Sequence, residues 1–287
     1  MTAVVGFLTV LLPLLYLLLW GSYLWFFFEE RRLAHRAGSV LTIVVMLIHT
    51  LWVVLRTMEL GRFPLGTPLG LASLLALSLT TIYVVIEKVL RVRQTGFLVL
   101  GLAFVLQFLA SGFSTARPTI NPLLNDPGYA LHATLILLAY TSFSLSFLYA
   151  VLFQVQERQL QRRSFGLLFR RLPPLDVLER MSVMPVRLGV PLLFLGLATG
   201  HLWMYRLRDH LPVDQAMNLT PFDPKILMSW GLLIIYGVGL LGHDRWGWRG
   251  RRMSRLSVTA WVVVVALMGI AQHVFTTFHD FSLRGGA

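Results

Sequence analysis

The chain has 287 residues, of which 56% are hydrophobic and only 13% charged. A soluble domain carries roughly 25% charged residues, so this composition excludes a single soluble domain, and it excludes disorder; a bilayer is the solvent it suits. The net charge is +12 and cysteine is absent, which removes disulfide frameworks, thiolate metal sites, iron–sulfur clusters and covalent haem attachment to this chain.

A helix needs roughly 20 apolar residues to cross the hydrocarbon core. Residues 4–28 form the first such run. It is too long for the apolar region of a cleavable signal, has no basic residues before it and is followed by charges, so it is expected to remain as a span. Residues 39–56 form the second and place His49 about 15 Å along it at 1.5 Å per residue. The third and fourth runs are 67–87 and 95–112. A loop at 113–130, rich in proline and asparagine, leads to His132 at the start of the fifth run, 131–154.

Residues 155–186 are the one long stretch without a span, read as a cytoplasmic loop and hinge between runs one to five and six to eight. Pro173-Pro174 breaks it, and Leu175 to Met181 is expected to form a short surface helix. The sixth run, 187–205, places His201 about 20 Å along the helix. The loop 206–224 ends in Phe222-Asp223-Pro224-Lys225, where the carboxylate is suited to cap the next helix and the proline to fit its first turn. The seventh and eighth runs are 225–242 and 256–278. The eighth carries His273 about 25 Å along, with Phe278 and His279 at its end. No alternation of a barrel strand occurs, so the expected fold is all-α: a single polytopic membrane domain of eight transmembrane helices.

Basic residues set the orientation. The loops after runs one, three, five and seven hold 18 of the 25 Lys and Arg, and the opposite side holds seven. The richer side is expected to be cytoplasmic, which places both termini outside. This placement also explains the positive charge without a nucleic-acid partner. No span carries a central carboxylate, which argues against an ion-coupled carrier. Glycines on runs six and seven, including Gly196, Gly200, Gly231, Gly237, Gly239 and Gly242, read as close helix packing.

The histidines are the chemistry-bearing residues. His132 and His279 fall at matching depth on the outer ends of the fifth and eighth runs. Two neutral imidazoles so placed can ligate haem iron. Spacing alone favours the reading of each as a half-wet interfacial residue, because helix ends near water often carry polar side chains. His49, His201 and His273 lie within the membrane, where an ionisable residue is either functional or a hydrogen-bonded packing group. His243, followed by Asp244 and Arg245, reads as a loop histidine near a helix C-terminus. Phosphate-binding glycine loops, zinc-protease motifs and nucleophile elbows are all missing, and no paired acid and base stands out, so no enzyme activity is expected.

Several stretches resemble the membrane-integral cytochrome c assembly protein family. Ile48-His49-Thr50-Leu51, Arg56 and Gly61-Arg62-Phe63-Pro64-Leu65 are similar to its second span and following loop. Leu131-His132 with Leu138-Ala139-Tyr140, Arg187-Leu188-Gly189-Val190-Pro191-Leu192, Asp223-Pro224-Lys225, Trp230 and Phe278-His279 match further pieces. The resemblance implies His132 and His279 as axial ligands of haem b at the outer face, with Phe222 and Phe278 beside it and His49, His201 and His273 as secondary candidates. Before Asp223 the family's haem-handling members carry several tryptophans, whereas here only Phe222 is aromatic. Trp246-Gly247-Trp248-Arg249-Gly250-Arg251-Arg252 is similar to the HemX-like and YpjD-like branch. What the resemblance implies is a haem-binding protein of the bacterial inner membrane that assists cytochrome c assembly. Its partners would be other assembly subunits or apocytochrome c. The alternative is a non-haem scaffold or regulator, for example of tetrapyrrole synthesis, docking a partner or anionic lipid through its cytoplasmic arginines.

Overall fold

Hydrocarbon offers no hydrogen-bond partner to a backbone, so a chain this apolar must satisfy its amides within its own helices. The computed structural model describes residues 1–65, 67–112, 126–163, 165–208 and 222–274. Its regular elements there are all helical: α1 (Thr2–Glu29), α2 (Arg32–Leu60), α3 (Pro68–Leu90), α4 (Gly96–Gly112), α5 (Pro127–Gln161), α6 (Leu167–Arg171), α7 (Leu175–Arg208), α8 (Pro224–Arg245) and α9 (Arg251–Val274). Seven of them are long and apolar enough to cross a membrane. The remaining expected span, the fourth run, is α4, which is apolar but has 17 residues.

The expected punctuation is present where local chemistry decides it. Thr67 caps α3, its hydroxyl accepting from the Gly70 amide at 3.0 Å, with Pro68 in the first turn. Asp223 caps α8, accepting from the Lys225 amide at 2.8 Å with Pro224 behind it, as its sequence suggests. Pro173-Pro174 does separate α6 from α7. The short surface helix expected over Leu175–Met181 does not end there. It runs on through Pro185 and Pro191 to Arg208 as one helix. Neighbouring helices can compensate the hydrogen bonds that a proline removes within a membrane helix. The 155–186 stretch is accordingly helical for most of its length, as the end of α5, α6 and the start of α7.

The helices sort into two compact units, and the division differs from the expected hinge. Unit 1 holds α1–α4 and α6; unit 2 holds α5 as far as Arg158 together with α7, α8 and α9. The fifth run therefore belongs with the last three.

In unit 1 the buried faces of α1 and α3 bring Tyr16, Tyr23 and Tyr83 inside. Gly96 lets α4 approach: a Cβ there would run into the Tyr23 and Tyr83 rings. Trp20 of α1 donates its indole N–H to the Phe97 carbonyl at 3.0 Å. In unit 2 the core is Ala139, Phe143, Val186, Leu193, Leu197, Leu232, Tyr236, Ala260 and Val264. Phe143 stacks on Tyr236 with centroids 4.3 Å apart, and Gly189 makes room for the same Phe143 ring. Large apolar side chains such as Leu47, Phe108, Ile234 and Val262 point outward, the arrangement of a protein whose outer solvent is lipid.

Candidate functional site

His132 stands in the second turn of α5, and the way α5 meets α7 determines what its ring can do. The helix opens at Asp126-Pro127, with the Asp126 carboxylate accepting from the Gly128 amide at 2.6 Å. His132 and Ile136 are one turn apart on α5, and Gly196 and Gly200 are one turn apart on α7. The two pairs interlock. A Cβ on Gly200 would come 2.5 Å from His132 Nδ1 and 2.6 Å from its Cε1, and one on Gly196 would come 2.8 Å from Ile136 Cδ1. Small residues four apart give the imidazole its seat.

The seat also fixes the ring's chemistry. His132 Nδ1 lies 2.7 Å from the Gly196 carbonyl oxygen. A carbonyl only accepts, so Nδ1 carries the hydrogen and donates it. The neutral ring is then the tautomer whose lone pair is on Nε2, and a hydrogen bond of this kind is what orients metal-ligating histidines. The residue is half-buried.

His201 repeats the device within α7. Its Nδ1 donates to the Leu197 carbonyl one turn back at 2.7 Å, and its ring meets Trp230 of α8 edge-on at 6.0 Å. Leu197 and His201 lie about 100° around the helix from Gly196 and Gly200, so the two imidazoles use different faces of α7. Tyr140 and Ser229 join α5 to α8 at 3.0 Å. Phe222, at the entrance to α8, is 75% exposed.

His49 has another environment. It is fully buried in unit 1, with Tyr16 Oη 2.9 Å from Nδ1 and Ser73 Oγ 3.0 Å from Nε2. Ser73 donates to Gln107 Oε1 at 2.9 Å. Its single hydrogen is thereby committed, so Ser73 accepts from Nε2–H and Nδ1 accepts from the Tyr16 hydroxyl. The chain continues from Gln107 Nε2 to Ser111 Oγ at 3.0 Å. Residues of α1, α2, α3 and α4 are linked through this imidazole, and both of its nitrogens are engaged. Tyr16, Ser73 and Gln107 were not singled out in the sequence. Each is a polar residue inside an apolar run, and that was the available signal.

The other histidines separate by surroundings. His243 Nδ1 lies 2.8 Å from Asp244 Oδ1, and Arg249 bonds its Nε2; it is the helix-end residue expected. His35 is exposed, and its carbonyl accepts from buried Arg93 at 2.7 Å. His273 lies in α9, with its side chain outside the described part. His210, Phe278 and His279 lie outside the described residues, as do most of the loops 113–130 and 206–224. Among the described residues no group of three or more His, Asp or Glu could hold a metal ion.

In the sequence Arg93 is one of the basic residues that set orientation. It is instead buried, stacked 4.1 Å above the Tyr23 ring and 3.7 Å from Glu87, and it donates to Ser39 Oγ at 2.9 Å. It ties α1, α2 and α3 together at one end of unit 1.

The model of the family described as "Cytochrome C assembly protein" matches residues 8–272. Protein HemX of Brevibacillus brevis is 27% identical over 257 residues, 89% of this chain and 90% of that protein. Inner membrane protein YpjD of Escherichia coli (strain K12) is 28% identical over 198 residues, 68% of this chain and 70% of YpjD. Cytochrome c biogenesis protein CcsA of Prochlorococcus marinus (strain MIT 9303) is 25% identical over 285 residues, 85% of this chain and 86% of its own.

Proposed function

The chain belongs to the cytochrome c assembly protein family, and from that premise we propose that it is a haem-handling membrane protein that assists cytochrome c assembly at the outer face of the bacterial inner membrane. The reading is carried by one observation: the Gly196 carbonyl holds the proton on His132 Nδ1 and so makes Nε2 the nitrogen with a lone pair. That is the form of imidazole that ligates iron, and the seat on Gly196 and Gly200 fits the residue for the task. Haem b, when bound, supplies the iron for that nitrogen. His132 and His279 are the residues proposed to hold the iron, and Phe222 and Phe278 would lie beside the group. Held by two imidazoles, the iron would have no position for oxygen, so the proposed role is to hold and pass on haem. Apocytochrome c and other assembly subunits are the proposed partners, supported by the name of the CcsA relative.

We further propose that α4 completes eight spans and that both termini lie outside, on the strength of the 18 to seven division of basic residues. The test of function is the visible spectrum of the detergent-purified protein from haem-supplied cells. The wild type is expected to show a Soret band and H132A/H279A to lose it. A band of unchanged height in the double variant removes these residues from the site. A colourless wild type favours the non-haem scaffold instead.

A further inference from the structure

The turn between α8 and α9 is held rigidly and carries an unusual surface. Gly247 (φ +66°) and Gly250 (φ +53°) both occupy the left-handed region that side chains rarely adopt. The amides of Trp246 and Trp248 both donate to the Gly242 carbonyl, at 3.1 and 2.9 Å. The Trp248 ring lies on buried Gly242, where a Cβ would come within 2.5 Å of it. These contacts leave Trp246 on the outside of the turn, 60% exposed, with its ring 5.6 Å from that of Trp248.

Arginines crowd the turn and the helix ends that it joins. Arg187 pairs with Asp244 at 2.6 Å, Arg251 pairs with Glu157 at 2.7 Å, and Arg249 bonds His243. Arg245, Arg252 and Arg255 are exposed, and no carboxylate pairs with them among the described residues. Six arginines at this end of unit 2 therefore face only two carboxylates, and three of the six are uncommitted. The apolar run of α8 stops at Gly242 and that of α9 starts at Leu256, so the turn stands at the level where hydrocarbon gives way to headgroups. Tryptophan favours that level, and arginine matches the geometry of a phosphodiester.

We propose that the 245–255 turn is a binding site for the headgroups of anionic phospholipids, with Arg245, Arg252 and Arg255 on the phosphates and Trp246 seated at the acyl-chain boundary. An acidic protein segment would answer the charge but would give no use to an exposed indole beside the end of a membrane span. The site is independent of haem.

The test uses the full chain in lipid nanodiscs made of phosphatidylcholine and phosphatidylglycerol. Two preparations of identical composition differ only in which lipid carries brominated acyl chains. The fluorescence of Trp246 is the part of the signal lost in W246F. Brominated phosphatidylglycerol is expected to quench it on the order of fivefold more than brominated phosphatidylcholine. R245Q/R252Q/R255Q is expected to bring the two lipids level, while R32Q/R36Q, on exposed arginines of α2, keeps the preference. Because only acyl chains quench, free phosphate cannot produce the signal. Equal quenching by the two lipids in the wild type overturns the proposal and is the result an acidic protein partner would give. R252Q alone, with its melting temperature checked, replaces the triple variant if that fails to fold. A preference that survives undiminished in a folded R-to-Q variant overturns the site as well.

Discussion

At Gly200 a hydrogen atom stands where any other residue would set a methyl group against the His132 ring. An alanine there would meet Nδ1 at 2.5 Å and Cε1 at 2.6 Å, and the imidazole could yield only by giving up its bond to Gly196. Overpacking of this kind costs about 1–3 kcal/mol. G200A is therefore expected to lower the melting temperature and reduce the Soret band. G231A, where a Cβ meets nothing within 4 Å, is expected to keep both, since alanine is the better helix former. A G200A protein that melts and absorbs like the wild type would show that the ring is not held in this seat. Much of the seat was legible beforehand. His132 at a helix end, Gly196 and Gly200 one turn apart, and the packing role of such glycines all lie in local sequence. Which carbonyl the imidazole would find did not, because that depends on how two distant helices face each other. The expectation also spread over Gly231 and Gly237, which open onto space; spacing does not say which face of a helix has a neighbour.

On the scale of elements, α1 to α4 share one hydrogen-bond chain through His49. Replacing His49 by alanine strands the Tyr16 hydroxyl, which then has only the long contact from Thr80 Oγ1, 3.5 Å away, and takes from Ser73 the donor it accepts from. Buried groups left without partners cost about 1–3 kcal/mol each. H49A is expected to melt earlier than the wild type by that order, while the Soret band, set by ligands elsewhere, keeps its height per folded protein. Loss of the band with an unchanged melting temperature would instead make His49 a ligand and the hydrogen-bond chain secondary. An intramembrane histidine was legible as an exception that needed a reason. Its partners were not, since Tyr16, Ser73 and Gln107 sit on three other helices and each looks unremarkable in its own run. The same limit applies to α7. Pro173-Pro174 marked a real break and the start at Leu175 was right, but Pro185 and Pro191 carry the local chemistry of a helix breaker inside a helix that continues. Val183, Pro185 and Val186 are all buried, so the packing of unit 2 holds a helix that propensity alone would divide.

For the whole molecule the open quantity is parity. The seven long helices and the charge asymmetry were both legible, since apolar length and loop arginines are read directly from composition in windows. The exception is α4. Its 17 residues rise about 25 Å, against a hydrocarbon core of about 30 Å. A short span is accommodated by local thinning of the bilayer or by flanking residues that reach the interface, at fractions of a kcal/mol per Å. The alternative is that α4 does not cross, and then everything after it is inverted: the loop that follows α5, with seven arginines between Arg158 and Arg187, would lie outside. Each arginine on the wrong side opposes the positive-inside bias, so a deficit of a few ångströms on one helix is weaker than the charge it would have to displace. Both termini are therefore expected on the outer side. Alkaline phosphatase fused after Ala287 should be active and a fluorescent protein at the same point dark, with the reverse for the two reporters inserted after Gln161. The same pattern at both points would mean that α7, α8 and α9 do not make three crossings between them. A bright fluorescent protein at the C-terminus together with an outer N-terminus would mean that the number of crossings is odd and that α4 stays on one side.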